Sequence, residues 1–115
     1  MVTVTDEEMQ AALASSRIYC VVILRKGPKY DDLGAKAIIR EHGRRNLALR
    51  KKGALPIICA SADKSEMRGV GVFNADESEV RRIMDGDPGV QAGIFTYETH
   101  SVRSFPGFSL PDKPA

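Results

Sequence analysis

Two ionisable side chains stand out by type and position. His42 falls in a stretch whose apolar residues recur at helical spacing. At about 100° per residue, Ile38, His42 and Leu49 lie within roughly 40° of one another. Ala35, Ile39 and Asn46 share that side, while Arg44, Arg45, Arg50 and Lys51 flank it or lie outside it. An imidazole aimed inward can accept or donate a proton near neutral pH. It can equally be a core histidine bonded to a backbone carbonyl. Asp87 is the second candidate. It follows Val80 and Ile83 at helical spacing, so it shares their inward face if the last turn holds. The C-terminal end of that helix, with Asp85 close by, would push its carboxyl pKa up unless a cation compensates. Asp87-Pro88-Gly89 is also turn chemistry in its own right.

Gly69 and Gly71 alternate with Val70 and Val72, so one face of that strand has no side chains there. Such a face admits a ligand, or a helix packed close to the backbone. Ser61 follows a strand and has no adjacent base. Arg25, Lys26 and Lys29 cluster after another strand, as a solvated loop or as a contact for an anionic substrate. His100 reads as partly exposed or as a dimer contact. Cys20 and Cys59 read as buried small hydrophobes. His42 and His100 are far apart in sequence without supporting carboxylate spacing, so no metal site is expected. Gly69-Val-Gly71 lacks the third glycine of a dinucleotide fingerprint.

The elements that must position these groups follow from patterning. Thr5-Asp-Glu-Glu8 has capping-box spacing and opens a short helix to about residue 15, with a thin stripe of Met9, Ala12 and Leu13. Residues 18–24 form the clearest strand; it does not alternate, so both of its faces should be covered. Residues 35–52 read as a helix stopped by Gly53. Residues 55–60 are a strand that starts at Pro56 or lies at a sheet edge, since proline cannot donate to a ladder. A polar turn leads to a third strand, 68–73, in a hairpin with the second. Asp76-Glu-Ser-Glu79 caps a second domain helix with Val80, Ile83 and Met84 inward, ended by Gly86. Residues 92–103 are a long fourth strand, and 104–115 a proline-bearing tail that wraps the surface or a partner. The order β-α-β-β-α-β, preceded by an extra N-terminal helix, is the ferredoxin-like α+β pattern, with an antiparallel four-stranded sheet. Both helices cover one sheet face. The apolar first strand then asks for cover on the other, most simply a second copy of the chain, giving a homodimer.

Composition removes other options. The chain of 115 residues makes one domain. Hydrophobic residues are 43%, ordinary for a globular protein, and the net charge of +2 gives no broad footprint for nucleic acid or an anionic membrane. The longest apolar run is far short of a membrane span, and the first eight residues lack the blocks of a signal peptide. With two cysteines, reduced thiols in the cytoplasm are the expectation.

Four stretches of this chain are similar to the YciI-like (YCII-related) family. They are Tyr19-Cys-Val-Val-Ile-Leu24, Arg40-Glu-His42 with Leu47 and the Gly53 stop, Gly69-Val-Gly-Val-Phe73, and Asp87-Pro-Gly-Val-Gln-Ala-Gly93. The last is the most specific. The resemblance covers roughly residues 17–105, leaving 1–16 as an N-terminal helical extension and 106–115 as a C-terminal tail. It implies a ferredoxin-like fold that dimerises into an α+β barrel, with His42 and Asp87 as the proposed active-site pair. It implies no cofactor. It also implies acid–base chemistry of the kind found among relatives that include muconolactone isomerases and dehydrochlorinases. Where the family has a Gly-Pro turn after the second strand, this chain has Ala60-Ser-Ala-Asp63. Two functions remain in view. One is a small-molecule enzyme, with Gly69, Gly71, Ser61 and Arg25 lining the binding site. The other is a non-catalytic ligand-binding dimer on the same scaffold.

Overall fold

The computed structural model describes residues 1–113. Two residues of the tail reading, Pro114 and Ala115, lie outside the described residues. The elements run α1 (Asp6–Ser15), β1 (Arg17–Lys26), α2 (Ala35–Lys51), β2 (Ile57–Ala60), β3 (Met67–Phe73), α3 (Glu77–Asp85), α4 (Pro88–Gln91) and β4 (Phe95–Ser104). The strands form one antiparallel sheet in the order β2-β3-β1-β4, which is the ferredoxin-like order. The β-branched run of β1 therefore sits at the centre. β2 begins directly after Pro56 and forms an edge, where a missing donor costs nothing.

Both capping signals act as their spacing dictates. The Thr5 hydroxyl accepts from the Glu8 amide, and the Asp76 carboxylate accepts from the Glu79 amide. α1 nevertheless buries no residue, so its thin stripe packs on nothing within the chain. On α2 the buried positions are Ala35, His42 and Leu49, the arc that 3.6-residue spacing selects. α3 buries Val80 and Met84. With Cys20, Val22 and Leu24 of β1, Phe73 of β3 and Phe95 of β4, these side chains form the core between sheet and helices. Each large apolar member contributes about 1.5–3 kcal/mol of burial.

In the single chain the helices cover one face of β1. Cys20, Val22 and Leu24 are buried beneath them, while Tyr19, Val21 and Ile23 on the opposite face are half-buried, the face for which the apolar strand asks cover from outside the chain. Two expectations need correction. First, β4 starts at Phe95 rather than 92, because a four-residue helix, α4, and the turn at Gly93 (φ 75°) occupy the preceding residues. Second, Cys59 is exposed on the edge strand; Cys20 alone of the two is buried.

Candidate functional site

The site forms where α2 stands over the β2–β3 side of the sheet. Gly69 and Gly71 face Leu24 and Val22 across the β1–β3 ladder, on the same face as buried Phe73. Those two positions place no side chain in the space beneath α2. A cavity of about 300 Å³ remains, at the small end of the ~300–1,000 Å³ range of ligand pockets. Its walls are mostly apolar, including Ile39, Leu55, Ile58, Met84 and Phe95, and its polar side chains are few: Tyr30, His42, Asn46, Cys59, Ser61 and Arg68.

His42 and Asp87 meet in this structure. His42 is 8% exposed and Asp87 is 0% exposed. His42 Nδ1 lies 2.8 Å from Asp87 Oδ1. The other carboxylate oxygen, Oδ2, accepts from the amides of Gly89 at 2.9 Å and Val90 at 3.2 Å. An ionised carboxylate only accepts, so Nδ1–H of His42 donates. Nε2 then carries the lone pair, and the Asn46 amide donates to it at 3.2 Å. The Phe95 ring packs against the imidazole with a centroid separation of 4.7 Å. The tautomer and ring plane are thus both set.

Asp87 stands in a different electrostatic place from the one its spacing suggests. It is not the frayed end of α3 but the N-cap of α4, with Pro88 in the first turn. Its burial pushes the carboxyl pKa up. The His42 hydrogen bond, that ring's charge whenever it is protonated, and the two α4 amides outweigh that, and the carboxyl lies below its ordinary 3.8. Arg45 adds a third positive group, with Nη1 3.7 Å from Oδ1. That nitrogen is buried and has no hydrogen-bond partner among the described residues. Gly89 makes the arrangement possible: a Cβ there would stand 2.5 Å from Phe95 Cδ2 and 3.1 Å from Asp87 Oδ2.

Of the residues selected from sequence, His42, Gly69, Gly71 and Ser61 line the cavity, and Asp87 acts on it through His42. Arg25 does not reach it. That side chain pairs with Glu98 of β4, which stands opposite Ile23, diagonal to Arg25 across the ladder. His100 is exposed and pairs with the same glutamate. Sequence reading missed Arg68. Strict alternation would put it on the face opposite Gly69. The register slips by one residue, however, with Leu24 opposite Gly69 and Arg25 opposite Met67, so Arg68 is the extra residue of a β-bulge. The bulge turns its side chain to the cavity side, with Cζ 5.9 Å from the Tyr30 ring centroid. Ser61, at the other arm of the hairpin, accepts from Arg68 Nη2 at 3.2 Å.

Among the described residues no group of three or more His, Cys, Asp or Glu side chains converges as a metal site. Nor is any helix long and apolar enough to cross a membrane. Chemically, the arrangement offers one imidazole, oriented through Nδ1 by a buried carboxylate, at the wall of an apolar cavity.

No protein-family model matches this chain, and no curated protein matches it. Among solved structures the chain is similar to the 5-chloro-2-hydroxyhydroquinone dehydrochlorinase TftG from Burkholderia phenoliruptrix AC1100, in complex with 2,5-dihydroxybenzoquinone. The TM-score is 0.44 and the identity 18%, over 74% of this chain and 90% of that one.

Proposed function

We propose that this chain is a YciI-like enzyme that uses His42 and Asp87 for cofactor-independent acid–base chemistry on a small molecule. The observation that carries the reading is the buried Nδ1 to Oδ1 hydrogen bond of 2.8 Å, which leaves Nε2 of His42 as the basic atom beside the cavity. In the proposed step, Nε2 removes a proton from a carbon next to a carbonyl, or from an oxidised ring. The electron pair enters the carbonyl as an enolate. It then either takes the proton back at another carbon, an isomerisation, or expels a leaving group, an elimination. Asp87 keeps the hydrogen on Nδ1 and stabilises the imidazolium formed in between. Gly69 and Gly71 provide the room for the substrate. The half-exposed face of β1 fits a second copy of the chain, so the working unit in this proposal is a homodimer.

A second reading has its own observation. Asn46 already donates to Nε2, so the polar pair is satisfied with no ligand bound. That suits a binding protein whose histidine is structural. One experiment separates the two: a panel of dienelactones and chlorinated quinols offered to the full chain. The enzyme reading expects product from at least one compound. It also expects a loss of about 10²–10⁴ in turnover for His42→Ala with the oligomeric state kept. Full turnover in that variant refutes the role of His42. Binding across the panel without product establishes the second reading.

A further inference from the structure

Arg68 is the one cation in the cavity wall, and its hydrogen bonds are unusual in kind. Nε donates to the Met67 carbonyl at 3.0 Å. Nη2 faces three acceptors: Ser61 Oγ at 3.2 Å, the Asp63 carbonyl at 3.0 Å and the Ser65 carbonyl at 2.6 Å. All four are neutral oxygens. No carboxylate is ion-paired with this guanidinium among the described residues. The nearby Asp63 carboxylate uses Oδ1 to accept from the Ser65 amide and from the Ser61 and Ser65 hydroxyls, and it stands beyond ion-pair distance of the guanidinium. A guanidinium has five N–H groups, and the two on Nη1 have no partner among the described residues.

This differs from an arginine that merely ties a turn. Such a residue on an open surface needs no bulge. Here the β-bulge costs a ladder position, and it re-aims a charge from the open sheet face into an apolar cavity. Tyr30 lies beside the guanidinium, its ring centroid 5.9 Å from Cζ, and the Phe95 ring, next to His42, stands 6.0 Å beyond Tyr30 at a tilt of 53°. The cavity wall thus runs from the cation past two aromatic rings to the imidazole.

We infer that Arg68 is an anion subsite, and that the ligand is a small organic anion whose charged oxygen meets the guanidinium while its apolar body extends toward His42. The inference rests on the proposed function only for what happens at His42; anion capture stands without turnover. Ser61, in this assignment, holds the guanidinium in place and does not itself bind the ligand, because its hydroxyl is already shared with Arg68 and Asp63. A carboxylate and a ring phenolate share the required chemistry.

The test is calorimetric titration of the full chain with benzoate, 4-nitrophenolate and the uncharged isostere benzamide. A charge-assisted hydrogen bond of about 1.5–3 kcal/mol corresponds to roughly tenfold to a hundredfold in affinity. Benzoate or 4-nitrophenolate should bind at least about tenfold more tightly than benzamide, and which anion binds better assigns the carboxylate or the ring oxyanion. Added salt should weaken the anion and leave benzamide unchanged. Arg68→Gln should remove the preference, and Arg68→Lys, which keeps the charge without the planar fork, should keep part of it. The comparison of anion with isostere needs no variant, so a misfolded Arg68→Gln does not spoil it. Equal binding of benzoate, 4-nitrophenolate and benzamide by the unaltered chain overturns the subsite. Arg68-dependent anion binding with no product from the substrate panel upholds the subsite and sinks only the enzyme reading. Turnover that tolerates Arg68→Gln does the reverse.

Discussion

Asp87→Asn is the sharpest perturbation of the buried pair, because it changes one atom and reverses one hydrogen. The asparagine carbonyl can still cap α4, accepting from Gly89 and Val90 as the carboxylate does. Asn is as good an N-cap as Asp, so the helix start costs little. The amide nitrogen then takes the place of Oδ1, 2.8 Å from His42 Nδ1. Two donors cannot share that contact. The imidazole hydrogen must move to Nε2, and Asn46 must turn its carbonyl toward it. The charge-assisted bond lost is worth about 1.5–3 kcal/mol. At about 4 °C per kcal/mol for a chain of this size, the midpoint of thermal unfolding should fall by ~6–12 °C.

The tautomer is read directly by long-range ¹⁵N–¹H correlation of the imidazole in its neutral form. The unaltered chain should show hydrogen on Nδ1 and a bare Nε2; the variant should show the opposite. The acid limb gives a second readout. The carboxyl pKa of Asp87 is lowered in the folded chain, so in the window below 3.8 the unfolded chain binds more protons. Its contribution is therefore whole above 3.8 and is lost as pH falls through the lower folded value. The stability gap between the two proteins should narrow in acid below about pH 4. The same tautomer in both proteins, or hydrogen on Nε2 in the unaltered one, refutes the orientation assigned to the pair.

Three further outcomes follow from the packing. Gly89→Ala puts a methyl 2.5 Å from Phe95 Cδ2 and should destabilise by about 1–3 kcal/mol in urea unfolding, whereas Gly71→Ala meets only the tip of Leu55 at 3.0 Å and should cost under about 1 kcal/mol while shrinking the cavity. A chain lacking residues 1–16 should unfold within about 2 °C of the full chain, because α1 buries nothing; a larger drop in calorimetry would show that the extension is part of the domain. Light scattering at micromolar concentration should find a dimer, and Val21→Lys on the half-exposed face of β1 should give a folded monomer; a monomeric unaltered chain removes the face-to-face pairing.

Element type was legible wherever a local signal decided it. Thr5 and Asp76 announce helix starts because a side-chain oxygen three residues ahead of an amide satisfies it, a contact that needs nothing from the rest of the chain. His42 and Leu49 declare an inward arc because helical geometry is fixed, and Pro56 marks an edge because it lacks a donor. Gly69 and Gly71 announce a bare strand face for the same kind of reason, but not whether a ligand space or a closely packed helix meets it. The half-buried side of β1 agrees with the reading that both helices take one sheet face and leave the other to cover from outside the chain.

The sequence by itself determined the ferredoxin-like order, the inward histidine and the bare glycine face, since each follows from spacing along one element. Only the tertiary structure decided what those groups meet. Asp87 read as the end of one helix and proved to be the cap of the next, which reverses the sign of the local dipole on its carboxyl. Arg25 read as a binding group and proved to be spent on Glu98 across the sheet. Arg68 was not singled out by its pattern, and a one-residue slip of register brought it to the cavity. In each case the deciding partner is distant in sequence or set by strand register, and a pattern of local periods holds no record of either.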